Sequence, residues 1–268
     1  MLASVVLNLS PDHLDRYNSL DHYYGVKGNI YRNCETAIIN RQLQRKYPMS
    51  KSSASISFGL DEPSFPGDFG LVDRVICRGR TKLIPEKDLP IGGEHNVLNC
   101  MAALALGASI GLEMNAMLRN LRSFEGLPHR CELVKKINGI TFYNDSKATN
   151  ISSCTAAINS FAQGQNIILL LGGVSKSTDF SKLTWTVKTF VKKVIVFGES
   201  AEEIIIALNG LCGIMRVKTL AEAVTEAILS AQSNDIVLLS PACASFDMFE
   251  DYRARGNAFK ALVHGYSK

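Results

Sequence analysis

The groups best suited to chemistry gather between Gly126 and Asn150, in the string GLPHRCELVKKINGITFYNDSKATN. His129 and Arg130 stand at its head, and Asn144, Asp145, Ser146, Lys147 and Thr149 form one run near its end. Such a mix of carboxylate, ammonium, hydroxyl and amide groups suits an anionic ligand when it lies beside the unpaired backbone N–H groups that open a helix. The same residues also make a solvated turn held by local side-chain hydrogen bonds.

Other candidates are spread along the chain. Asp12 and His13, in SPDHLDRY, fall in the first turn of a helix that Ser10 caps and Pro11 begins. His13 then reads either as a surface residue or as a group at the sheet edge where open α/β sheets bind ligands. Lys27 stands with Leu20, Tyr23, Tyr24, Ile30 and Tyr31 on the apolar face of a helix expected over 19–33. Its plain reading is a packed stem with its ammonium reaching water. Asn96 and Asn99 share a helix face. Their amides offer both a donor and an acceptor, as an adenine edge requires, though a cap and a surface residue would look the same. The string GGVSKST imitates a phosphate loop but has Ser175, not Gly, before its Lys. Lys176 is therefore read as a point charge placed to meet a carboxylate. Ser245 and Tyr252 lie in SPACASFDMFEDY, with Ser245 either lining a pocket or capping a helix.

The elements that must position these groups follow from periodicity. Asn138-Gly139 between apolar runs signals a hairpin over 131–137 and 140–143, followed by a helix near Ser152. Strands are expected over 3–9, 36–40, 54–59, 71–78 and 82–83. A long helix follows the turn at Gly92, with Val97, Leu98, Met101, Leu104 and Ala105 at core spacing. From 167 onward strands and helices alternate, which argues a mostly parallel sheet covered on both faces. No GxGxxG follows a strand, so nicotinamide binding is not expected.

Composition is that of an ordinary protein of one large or two medium domains: 268 residues, 46% hydrophobic and 20% charged. The 29 basic and 25 acidic residues are interspersed and net to +4, which argues against a nucleic-acid surface. Seven cysteines without a CxxC pair fit reduced thiols and a cytoplasmic setting. No run reaches membrane-spanning length.

GLPHR with NDSKATN, LLLGGVSKSTDF and LLSPACASFDMFEDYRARGNAFKAL resemble the Mur ligase family, and among its members those that add D-glutamate. The resemblance covers nearly the whole chain. It implies an α/β fold: an incomplete Mur-ligase central ATPase domain over 1–126, then a Rossmann-like C-terminal domain over 127–268. It implies an ATP-dependent ligase that joins D-glutamate to UDP-N-acetylmuramoyl-L-alanine through an acyl phosphate, with magnesium as cofactor. On that map His13 and a carbamylated Lys27 serve the metal and the reacting phosphate. Asn96, Asn99, His129, Arg130 and Asp145 hold ATP. Asp12, Lys147, Thr149, Lys176, Ser245 and Tyr252 surround D-glutamate. The absence of a phosphate loop from these 268 residues implies a chain that does not turn over by itself. A noncatalytic binding module and a polyglutamate-type ligase are the alternatives. The parent enzyme is expected to be a monomer. In this chain the first half is expected to be the less closed, cut first by limited proteolysis and prone to self-association.

Overall fold

The computed structural model describes residues 1–9, 17–46, 54–90, 93–175 and 179–266. These form two compact units, Met1–Glu125 and Gly126–Lys268.

The first unit carries a sheet in the order β1 (Ala3–Val6), β2 (Thr36–Asn40), β3 (Ala54–Phe58), β4 (Phe69–Val72), β5 (Val75–Arg78) and β6 (Thr81–Pro85). The first four strands run parallel and the last three antiparallel. Side chains on β2 alternate between faces. Ile38 joins Phe58, Phe69, Ile76 and Ile84 under α2 (Glu94–Ser109) and α3 (Met114–Arg122), whereas Ala37 and Ile39 pack with Val6 and Tyr31 on the other face. The Tyr31 hydroxyl accepts from the Val6 N–H at 2.9 Å and donates to the Ile38 carbonyl at 3.1 Å, knitting β1 to β2. This unit thus encloses an apolar core of its own, more closed than the sequence led us to expect, with β1 at the edge of its sheet.

Two expectations need correction here. The stretch 71–78 is the heart of a hairpin, turned by Asp73 and Arg74 in left-handed backbone, φ 49° and 59°. Turns of that geometry usually advertise themselves with Gly or Asn, and this one does not. The helix expected over 19–33 is α1 (Leu20–Gly28), capped by the Ser19 hydroxyl, followed by one tighter turn at Asn29–Tyr31. Its apolar face is narrow: Tyr23 and Tyr31 are buried, while Leu20 and Ile30 are exposed.

In the second unit the hairpin forms as expected, β7 (Glu132–Ile137) against β8 (Ile140–Asn144), with Asn138 and Gly139 both at positive φ. There follow α4 (Ile151–Phe161), β9 (Ile167–Gly172), α5 (Thr184–Phe190), β10 (Val191–Phe197), α6 (Ala201–Leu208), β11 (Gly213–Arg216), α7 (Leu220–Ser230), β12 (Ile236–Leu239) and α8 (Tyr252–Gly265). The sheet order is β11-β10-β9-β12-β8-β7, parallel throughout except for β7. Strand β9 is buried along its whole length. Ile167, Leu169 and Leu171 face α4, α5 and α6; Ile168 and Leu170 face α7 and α8. A strand covered on both sides needs the continuous apolar run IILLL, which is why it was legible. The chain leaves β9 toward one face and neighbouring β12 toward the other. Between strands that part in this way, the carboxyl edge of a parallel sheet opens a crevice.

Candidate functional site

Three loops meet at that edge: residues 145–150 after β8, 172–175 after β9 and 240–247 after β12. Their clasp is Arg255, from the first turns of α8, fully buried and, among the described residues, without a carboxylate in ion-pair contact. Its Nε donates to the Ser146 hydroxyl at 2.9 Å. One terminal nitrogen donates to the Ser146 and Cys243 carbonyls at 2.9 and 3.0 Å, the other to the Gly172 and Ala244 carbonyls at 3.3 and 3.4 Å. A guanidinium has five N–H groups, and here all five are used. Burial lowers its pKa to about 10, which leaves it charged at neutral pH. Nothing in the sequence singled out this residue, because an Arg in a helix ordinarily reads as surface.

Beneath the first loop lies a polar network. The Glu132 carboxylate accepts from the His129 backbone N–H, the Asn144 amide and the Lys260 ammonium, at 2.9, 3.0 and 3.1 Å. These contacts outweigh its partial burial and hold its pKa below the ordinary value. His129 is buried in left-handed backbone, and burial together with Lys260 lowers its ring pKa. Asp145 is also buried. Its oxygens accept from the Ser240 hydroxyl at 2.8 Å and the Cys131 N–H at 3.2 Å.

Burial pushes the Asp145 carboxyl up to about 6. A raised folded-state value means that its contribution to stability is full below the unfolded value of 3.8 and is lost as pH rises through about 6. The unfolding free energy of the wild type relative to Asp145→Asn should therefore fall by about 2 kcal/mol between pH 4 and pH 7. Urea unfolding at the two pH values measures it, and a difference that does not change with pH would contradict the burial argument.

The outer part of the site is cationic. The Lys147 ammonium sits 4.7 Å from the centre of the Tyr252 ring, and the Arg253 guanidinium 5.6 Å from it. Arg253 Nε also donates to the Tyr252 hydroxyl at 3.2 Å. That bond, with the charges of Arg253, Lys147 and Arg130, lowers the phenol's pKa. The His129 ring meets Tyr252 edge-on at 6.0 Å, and the His129 carbonyl accepts from the Lys147 N–H at 3.1 Å. His129, Arg130, Asp145, Lys147 and Tyr252 are thus one neighbourhood. Thr149 is half-buried in the same loop, just before the Asn150 cap of α4. Ser245 is buried in the β12 loop, where its carbonyl accepts from the N–H groups of Met248 and Phe249. The cap of α8 is Asp251, not Ser245.

In the first unit Lys27 is exposed on α1, not on its buried face, with its ammonium 5.4 Å from the Tyr23 ring centre. Asn96 and Asn99 are half-buried in the opening turns of α2. Gly93, not Asn96, is that helix's cap. Asp12, His13 and Lys176 lie outside the described residues.

The seven cysteines are free thiols. Burial raises the pKa of Cys131 and Cys154, and pushes that of Cys243 up to about 12, so these three are protonated and poor nucleophiles. A groove of about 390 Å³ between α7 and α8, lined by Val224, Ile228, Leu262 and Tyr266, has no charged group and lies away from the loops that carry the chemistry. Among the described residues no helix is long and apolar enough to cross a membrane, and no cluster of three or more His, Cys, Asp or Glu side chains could hold a metal ion.

The site gathers cations and a neutral imidazole at the carboxyl edge of a doubly wound α/β sheet, a setting chemically suited to an anionic ligand. The comparisons narrow this. Residues 2–107 match the Mur ligase middle domain and residues 129–243 the Mur ligase glutamate ligase domain. The chain belongs to the Mur ligase family. It is 42% identical over 267 residues to the UDP-N-acetylmuramoylalanine–D-glutamate ligase of Nitrosococcus oceani, covering 98% of this chain and 59% of that protein. To the enzyme of that name from Nitrosomonas europaea it is 43% identical over 271 residues, covering 97% and 57%. The chain thus spans less than two thirds of the length of these relatives. Solved structures agree on the fold. The UDP-N-acetylmuramate-alanine ligase of Thermotoga maritima superposes with a TM-score of 0.71 at 19% identity, over 98% of this chain and 59% of that one. A type C pseudomurein peptide ligase of Methanothermus fervidus gives 0.73 at 15%, over 98% and 63%.

Proposed function

We propose that this chain carries the D-glutamate-accepting and nucleotide-holding parts of a cytoplasmic, ATP-dependent ligase of peptidoglycan precursor synthesis. The observation that carries this reading is the 42% identity to D-glutamate ligases, which runs through both units and takes in 98% of the chain. In the reaction, the carboxylate of UDP-N-acetylmuramoyl-L-alanine attacks the γ-phosphorus of ATP and ADP departs. The amine of D-glutamate then attacks the acyl phosphate carbonyl, forming the amide and releasing phosphate.

The residues take these parts. Lys147, Thr149, Ser245 and Tyr252, with Asp12 and Lys176, receive D-glutamate, and the cations of the set meet its carboxylates. Asn96, Asn99, His129 and Arg130 hold the nucleotide, with Asp145 anchoring the loop beside Arg130. Magnesium would be held by His13 and by Lys27 as its carbamate. An ammonium has no lone pair for a metal, so Lys27 fits that role only once carbamylated, when it offers the hard oxygens this ion prefers. The bound ion would supply charge neutralisation among the phosphates.

The test is amide formation from UDP-N-acetylmuramoyl-L-alanine and labelled D-glutamate by the protein as the cell makes it. Lys176→Ala should raise the KM for D-glutamate roughly 10- to 100-fold, the equivalent of about 1.5–3 kcal/mol for one charge-assisted contact, and leave that for ATP nearly unchanged. Equal effects on both substrates would sink the assignment. D-glutamate or nucleotide binding without amide formation would favour the noncatalytic alternative.

A further inference from the structure

We infer that Glu132 is a positioning residue for this site: its carboxylate gathers the His129 backbone N–H, the Asn144 amide and the Lys260 ammonium, and so fixes His129 as a neutral ring with its proton on Nε2. The Ser146 backbone N–H fixes the orientation of the Asn144 amide. Its oxygen accepts from the Ser146 backbone N–H at 3.1 Å, a group with only a proton to give, so its nitrogen faces the other way. That nitrogen lies 3.0 Å from Glu132 Oε2 and 3.0 Å from His129 Nδ1. An amide NH₂ only donates, so Nδ1 is the acceptor and the ring's single proton resides on Nε2.

The carboxylate does not draw a second proton onto the ring, because Lys260 on α8 neutralises it at 3.1 Å, while Oε2 stays 3.9 Å from Nδ1. The charged groups that face His129 are Lys260 and Arg253 on α8, Asp251 at the α8 cap and Glu132 on β7. The two cations oppose ring protonation and the two carboxylates favour it. Gly256 completes the seat: a Cβ there would come within 2.2 Å of Nδ1 and 3.1 Å of the Asn144 amide nitrogen. The carbonyl of His129 in turn accepts the Lys147 N–H, so the clamp on the imidazole also sets where the Lys147 segment begins. A neutral Nε2–H can donate to a ligand oxygen across the neutral pH range without bringing a charge. That it does so to the nucleotide rests on the reading above.

Ring ¹⁵N spectra of the 268-residue chain test this, with His129 assigned by its loss in His129→Gln. The wild type should show a neutral ring protonated on Nε2 at pH 7. In Glu132→Gln one amide oxygen must serve three donors, so the ring should become a mixture of tautomers and the Lys147 amide should exchange faster with solvent. Lys260→Met, at a helix position whose side chain is 26% exposed, should move the titration midpoint of the ring upward, because Glu132 then acts on it unopposed. A ring found protonated on Nδ1, or a tautomer and midpoint unmoved in both variants, would overturn the assignment. Adding ATP should shift the Nε2 resonance. An intact tautomer with no response to ATP would uphold the role of Glu132 and count against nucleotide binding at this ring.

Discussion

Arg255→Met should lower the unfolding free energy of the Gly126–Lys268 unit by about 3–5 kcal/mol, as read from the urea midpoint of the 268-residue chain. The substitution keeps the bulk of the stem and removes the five donors. It removes five donors from four buried carbonyls and a hydroxyl; the Ala244 carbonyl keeps the Val174 N–H and the Ser146 hydroxyl keeps its bond to the Tyr252 carbonyl, so the cost is about 1–3 kcal/mol for each remaining acceptor that finds no new partner, a total that relaxation partly recovers. Arg255→Lys keeps the charge but can fill at most three of the five bonds, and should fall between. The functional consequence follows from what the carbonyls belong to. Ser146 adjoins Lys147, Ala244 adjoins Ser245, and Gly172 opens the loop after β9. Without the clasp the three loops lose their common anchor, so if the site takes D-glutamate as proposed, its binding should fall even at temperatures where the unit stays folded. A loss below about 1 kcal/mol, with binding intact, would mean that water replaces the guanidinium and that the loops hold themselves.

The parts of the molecule that were legible and those that were not divide along a physical line. Strand β9 announces itself because a strand buried on both faces needs an unbroken apolar run, and the hairpin because Asn-Gly is one of few pairs that enters a tight turn without strain. The hairpin at Asp73-Arg74 hides because its turn residues bear the left-handed strain without glycine. Lys27 shares helical spacing with Leu20, Tyr23 and Tyr24, but Tyr23 alone is buried on α1, so the apolar stripe is too narrow to take Lys27 in. The candidate groups around Lys147 and Tyr252 were visible as residue types. The residues that hold them were not: Arg255, Glu132, Asn144 and Lys260 are distant in sequence and become partners only through packing.

The glycine pair of GGVSKST belongs to the same hidden class, and the second large effect is expected there. Read as sequence, Gly172-Gly173 imitates a loop that lets phosphates approach the backbone; in the structure it is the backbone of the neighbouring strands that approaches. Gly172 has φ 139° and Gly173 φ 130°, conformations that L side chains rarely adopt. A Cβ on Gly172 would lie 1.8 Å from the Phe197 carbonyl oxygen, and one on Gly173 2.0 Å from that of Ala244 and 3.1 Å from an Arg255 nitrogen. These neighbours are main chain of β10 and of the β12 loop, so they cannot step aside as a flexible side chain would. Gly173→Ala must separate the β9 and β12 loops, breaking the paired Val174–Ala244 hydrogen bonds of 2.9 and 3.0 Å and pulling on the Arg255 clasp. Overpacking at about 1–3 kcal/mol and backbone strain at about 1–2 kcal/mol together give a loss of roughly 2–5 kcal/mol. Gly210 supplies the control: it also has positive φ, 77°, but a Cβ there meets nothing within 4 Å, so Gly210→Ala should cost only the strain, about 1–2 kcal/mol. Urea unfolding of the two variants side by side separates crowding from conformation. Equal losses would show that Gly173 is required only for its φ, and that the close approach of the two loops yields when it is pressed.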